Sequence, residues 1–111
     1  MPLYAVSLLF SLEVQAPNAP EPLRELAIHV LSAADENEAE AKGRVIGRKR
    51  ENSYRNTQEE VVRDIFQAVV EVQELIDDRL FDGMEVASRM FRRGETLVVN
   101  EGGIMSRAST E

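Results

Sequence analysis

Residues 61–76, VVRDIFQAVVEVQELI, fit two folds at once. As a helix the stretch gathers Val61, Val62, Ile65, Phe66, Val69, Val70 and Ile76 on one side, a good match to a 3.6-residue period. As a strand it gathers Val62, Phe66, Ala68, Val70 and Val72 on one face, with Asp64 as the misfit. The five valines with Ile65 and Phe66 favour extended backbone, because β-branched and aromatic side chains pack well on a pleated surface. Period and composition disagree here, and the outcome decides how much sheet the fold contains.

The flanks are easier to read. Between Tyr4 and Val14 the side chains alternate, with Tyr4, Val6, Leu8, Phe10, Leu12 and Val14 on one face and Ala5, Ser7, Leu9, Ser11 and Glu13 on the other. Pro17, Asn18, Pro20 and Pro22 then break the pattern and make a loop. Alternation resumes at Arg24, with Leu26, Ile28 and Val30 opposite Ala27, His29 and Leu31, so the two strands are expected to pair antiparallel.

At Asp35 the period changes. Asp35 and Glu38 have the spacing of a capping box, and Glu36, Glu38 and Glu40 precede Lys42, Arg44, Arg48, Lys49 and Arg50, the order the helix dipole favours. A helix is predicted from Asp35 to Arg50. Gly43 and Gly47 share a face with Ala39, and each costs about 1 kcal/mol relative to alanine unless close approach requires it. The pair therefore predicts a helix lying tight against a sheet; the alternative is a break at Gly47.

Downstream, DDRLFDG at 77–83 reads as a turn, and its three carboxylates lack the alternating spacing of a calcium loop. Residues 84–92 alternate again, and RRG followed by ETLVV suggests a final hairpin. The expected organisation is one domain over residues 1–99 and a flexible tail over 100–111.

Several of these segments together resemble a known pattern: YAVSLLF, AADENEAEAKGRVIG, ENSYRN and DGMEVASRMF, in this order. The chain resembles the domain of unknown function 4288 family of small bacterial proteins over about residues 4–92. The residues that carry the resemblance are Tyr4 and Val6; Asp35, Glu36, Glu38 and Ala39; Glu51, Tyr54 and Asn56; Val62 and Phe66; and Gly83, Glu85, Val86, Ser88 and Arg89. The resemblance implies a strand for residues 62–72 and no particular activity. NTQEE departs from the tighter Asp-Gly-like turn of the family pattern after Asn56, and the ETLVVNEGG stretch is additional.

The expected fold class is thus α+β, an antiparallel sheet of four to five strands with one main helix packed on one face. A helix about 10 Å wide covers roughly two strands spaced about 4.8 Å apart, so the sheet is under-covered. Its second face is expected to carry Leu3, Ala5, Leu9, Ala27 and Leu31, apolar enough to need a homodimer or another protein partner.

Composition bounds the function. The 111 residues are 43% hydrophobic and 30% charged, as in an ordinary soluble domain. Cysteine is absent and His29 is the only histidine, so thiolate and zinc chemistry are not expected, and no cofactor or metal is. No apolar run approaches the roughly 20 residues of a membrane span, and a cytoplasmic location is the default. A net charge of −7 makes nucleic acid an unlikely partner. The basic cluster within residues 42–55 reads as a solvated helix end, with Arg48, Lys49 and Arg50 as the alternative anion patch.

The reading of function that follows is a non-catalytic interaction or accessory module acting as a homodimer. Its alternative is a small enzyme or anion-binding protein built on a polar cluster around Glu51, Tyr54 and Arg89, in which carboxylates near a phenol would do acid/base work. The candidate binding residues are Glu51, Tyr54, Arg55, Asn56, Glu85 and Arg89. ENSYRN itself is expected to turn the chain from helix to sheet, with the Tyr54 ring toward the core and Glu51 and Arg55 facing Glu85 or Arg89.

Overall fold

The ambiguous stretch is a strand. The computed structural model describes residues 1–88, 90, 95–99 and 105–109. Its elements are β1 (Leu3–Gln15), β2 (Leu23–Ser32), α1 (Glu36–Arg50), β3 (Asn52–Arg55), β4 (Val61–Glu74), β5 (Glu95–Val99) and β6 (Met105–Ser109). The first four strands form an antiparallel sheet in the order β2-β1-β4-β3, and α1 lies across one face, so the fold is α+β. Strands β5 and β6 pair antiparallel as a separate hairpin, from Glu95 opposite Ser109 to Val99 opposite Met105. The rest of residues 100–111, expected as a tail, lies outside the described residues.

The register explains why β4 imitated a helix. Val14, Leu12, Phe10, Leu8 and Val6 of β1 stand opposite Val62, Asp64, Phe66, Val69 and Val72 of β4. Steps of two on β1 become steps of two, two, three and three on β4, because Gln67 and Val70 are inserted at two register shifts. Each β-bulge adds one residue to one strand, bends it and increases its twist. The spacing of three that results lies close to a helical period, so the sequence pattern was a mixture of both. Asp64 keeps its place on the helix side of the sheet and is no register error.

β1 is one of the two inner strands and is buried on both faces from Tyr4 to Ser11. Tyr4, Val6, Leu8 and Phe10 lie beneath α1, while Ala5, Ser7, Leu9 and Ser11 are equally enclosed on the opposite side. The pairing with β2 corrects one expectation. Ala27, His29 and Leu31 stand opposite Leu8, Val6 and Tyr4, so they lie on the helix side; Leu26, Ile28 and Val30 share the opposite face with Leu9, Ser7 and Ala5. With a period of two, shifting the register by one residue exchanges the faces, and alternation alone cannot choose between the two.

α1 starts as expected. The Asp35 carboxylate accepts a hydrogen bond from the Glu38 N–H at 2.8 Å, and the Glu38 carboxylate accepts from the Ala34 N–H at 3.3 Å. The helix runs unbroken through both glycines, and its buried residues are Ala39, Gly43 and Gly47. A Cβ on Gly43 would stand 2.7 Å from Cγ1 of Val6, and one on Gly47 would enter the Phe66 ring, 2.8 Å from its Cγ. The Phe66 ring meets Phe10 edge-on, with centroids 5.8 Å apart.

After β4 the expected strand over 84–92 is absent from its described part. Residues 84–88 run as coil, and Arg89 and residues 91–94 lie outside the described residues. The Gln73 side chain holds this coil instead: its Nε2 donates to the Ser88 carbonyl at 2.8 Å and its Oε1 accepts from the Ser88 N–H at 3.0 Å. One amide side chain thereby makes the two bonds of a single strand pair.

Two predictions follow from this packing. Gly47→Ala gains about 1 kcal/mol of helix propensity but overpacks the Phe66 contact, for a net loss of about 1–2 kcal/mol seen as a lower urea midpoint. Tyr4 is 3% exposed, and burial first, then Glu74, Asp35 and Glu36, raises its phenol above the usual 10.0. A folded value above the unfolded one means that the contribution of Tyr4 is complete below pH 10 and fades as pH climbs through the folded pKa. Urea midpoints measured from about pH 8 to pH 11 should fall at the alkaline end, and less steeply in Tyr4→Phe.

Candidate functional site

Glu51 ends the helix and begins the sheet. Its N–H donates to the Arg48 carbonyl at 3.2 Å, and its carboxylate Oε2 accepts from the Phe66 N–H at 2.9 Å. β3 pairs with β4 only from Asn52 opposite Asp64 to Arg55 opposite Val61, so the Phe66 amide lies beyond the end of that ladder. The Glu51 side chain extends the ladder by one bond.

The rest of ENSYRN is an edge strand and a turn. Tyr54 is 49% exposed, so its ring is not drawn into the core as expected: β3 is the outermost strand, and α1 does not reach over it. Arg55 donates to the Glu59 carbonyl at 2.9 Å. Asn56 organises the β3–β4 turn through Oδ1, which accepts from the N–H groups of Gln58 and Glu60 at 2.9 and 3.0 Å. Glu59 completes the turn with φ of 63°, a left-handed conformation at which glycine is the favoured residue. The longer NTQEE connection therefore keeps the backbone shape of a glycine turn without its glycine.

Glu85 does not join these residues. Ser88, three positions on, is tied to Gln73, whereas Tyr54 stands opposite Val62. Ten residues of β4 lie between those two anchors, roughly 30 Å at strand rise. Arg89, the remaining candidate, lies outside the described residues.

The basic patch is divided in the same way. Arg50 turns inward, with its guanidinium 3.9 Å from the Phe10 ring centroid, Nε 3.4 Å from the Asp64 carboxylate and Nη2 on Glu25. This ion cluster was not foreseen from the sequence, although Asp64, the lone acid on the apolar face of β4, was its signal. Asp64 Oδ1 is buried without a hydrogen bond. Arg48 points elsewhere, into a groove of about 380 Å³ shared with Arg44, Glu51 and Gln67. Glu40 pairs with Arg44, and Lys49 is exposed, so the three expected cations do not converge on one point. Among the described residues no group of three or more His, Asp or Glu side chains is arranged to hold a metal.

What the fold does gather is apolar surface around β2. This strand is an outer edge of the sheet, and α1 packs mainly on β4 and β1. Leu23 is 72% exposed, Ile28 51%, and Leu26 and Val30 38% each. On the helix side a groove of about 470 Å³ opens between β2 and α1, lined by Leu31, Ala41, Val45 and Ile46 with Lys42 and Glu38 at its rim. The Lys42 ammonium donates to the Ser32 carbonyl at 2.7 Å and closes that end of the strand.

A curled four-stranded antiparallel sheet with one capped helix on it is the class of domain these features define. The sequence profile of a domain of unknown function (DUF4288) matches residues 3–88, and the chain belongs to that family. Comparison with curated proteins gave no match, and neither did comparison with solved structures. Among the described residues no helix is long and apolar enough to cross a membrane.

The role of Glu51 as a joint is open to a direct measurement. Glu51→Ala, which strands the Phe66 amide, should cost about 1–2 kcal/mol in urea denaturation, while Glu51→Gln, which keeps an acceptor oxygen, should cost less than half of that.

Proposed function

We propose that this DUF4288 protein is a non-catalytic interaction or accessory module that acts as a homodimer. The observation that supports this reading is the apolar surface of β2. Three alternating residues, Leu26, Ile28 and Val30, lie partly exposed on the face away from the helix, beside the enclosed Leu9 and Ala5. Edge strands that remain in water are usually blunted by lysine, proline, a bulge or short length. β2 is ten residues long, contains no proline or lysine, and carries no formal charge from Leu26 to Leu31 with His29 neutral. An edge of this kind is suited to being covered.

Light scattering on the purified protein should give twice the 12.5 kDa chain mass at micromolar concentration and above. Ile28→Lys, which adds the charge that protected edges carry, should return the mass to that of one chain with an unchanged circular dichroism spectrum. A native chain that scatters as a monomer at every concentration would exclude the homodimer.

A further inference from the structure

The segment that follows β4 is pinned at both ends and exposed between them. Leu75 is buried and its N–H donates to the Leu3 carbonyl at 2.8 Å, while Ser88 is held by the Gln73 side chain, so the chain leaves and rejoins the sheet at neighbouring points. Residues 75–88 contain no helix or strand. Connections of this length without regular structure are uncommon in compact domains and are usually binding loops or linkers; one whose ends are tied together is no linker. Two small turns shape its interior. The Arg79 N–H donates to the Asp77 carboxylate at 3.3 Å, and the Met84 N–H donates to the Phe81 carbonyl at 3.1 Å across Gly83, whose φ of 84° suits the third position of a type II turn. Leu80 and Phe81 stand between these turns and are 64% and 51% exposed, with Ile76 at 77%. The fold buries none of the three, although each would gain by leaving water.

We infer that this loop docks on a basic protein surface, with Leu80 and Phe81 entering an apolar pocket and the loop carboxylates facing lysine or arginine at its rim. The inference goes beyond the homodimer and uses none of the β2 residues assigned to it. Apolar anchors that fill a pocket carry most of the affinity of a protein interface, and anchors held in place by turns lose less freedom on binding. Charge selects the occupant. Asp77, Asp78, Asp82 and Glu85 share the loop with a single cation, Arg79, and no ion pair to a described residue holds any of the four carboxylates. Carboxylates around an apolar anchor steer it toward a positive surface and oppose a negative one. Anionic lipid headgroups and nucleic-acid phosphates are therefore repelled, and a second copy of the chain carries the same net charge of −7. A basic protein is the partner for which the apolar tip and its charged surround both favour contact.

The test uses a fluorescein-labelled amphipathic helical peptide of leucine and lysine, whose apolar stripe is flanked by positive charge, and its counterpart with glutamate in place of lysine. Fluorescence anisotropy should show the full chain binding the lysine peptide and not the glutamate one. Leu80→Ser combined with Phe81→Ser should weaken binding about ten-fold, whereas Val45→Ser, which alters an exposed apolar residue elsewhere, should leave it unchanged. Asp77→Asn, Asp78→Asn and Asp82→Asn together keep the oxygen that accepts from the Arg79 N–H, and they should weaken binding and flatten its dependence on salt. Amide shifts of the native chain should change within residues 76–85. All substituted positions are exposed, so circular dichroism spectra should match that of the native chain. A native chain that leaves the lysine peptide free, a Leu80→Ser and Phe81→Ser chain that binds it as tightly as the native one, or shifts confined to β2 and α1 would overturn the docking loop. None of these outcomes bears on the mass measured by light scattering, so the homodimer stands or falls separately.

Discussion

The contact on which the rest of the structure depends is the seat of α1 on the sheet through Gly43 and Gly47. Without side chains at these positions the helix backbone rests on Val6 and on the Phe66 ring, and this brings the helix end down to where Arg50 reaches Phe10 and Asp64. Two mid-helix glycines sacrifice conformational stability to obtain that approach, and the burial of Val6, Leu8 and Phe10 beneath the helix offsets the loss. Glu51, directly after Arg50, then finds the Phe66 amide, so the exit from the helix is determined by the same contact.

A second constraint comes from counting layers. One helix cannot roof four strands, and α1 takes the two strands that are most apolar, β1 and β4. The bulges at Gln67 and Val70 bend β4, which curls the sheet around the helix. Of the two strands that remain, β3 is short and polar, and β2 carries exposed apolar side chains at the outer edge of the sheet. In the polar segment at Glu51–Asn56 the side chains of Glu51, Arg55 and Asn56 bond to backbone, at the extended ladder and at the turn that ends with Glu59. Its residues are of the kind that bond to nearby backbone, and here they do so.

Much of the fold was legible because the signals involved are local. The capping pair Asp35 and Glu38, the charge order along α1, the proline-rich loop and the alternation of β1 all act within a few residues of one another. The features that were not legible depend on partners distant in sequence, as the Arg50–Asp64 pair does. The bulges exist only relative to β1, and a strand with two inserted residues has no single period to detect. The parity of β2 depends on the pairing sum across the loop, which alternation leaves undetermined. The Gln73 bonds to Ser88 replace a strand pair that the alternation of 84–92 had suggested.

By itself the sequence determined the class of the fold, the position and N-terminal cap of its helix, the tight seat implied by its two glycines, and the family, since these follow from local chemistry and order. Tertiary structure alone decided which face of β2 meets the helix, where Arg50 and Asp64 find each other, and which strand is left as an apolar edge. Those outcomes depend on register and layer order, and both are set by how separate segments pack, through contacts between residues that no local pattern connects.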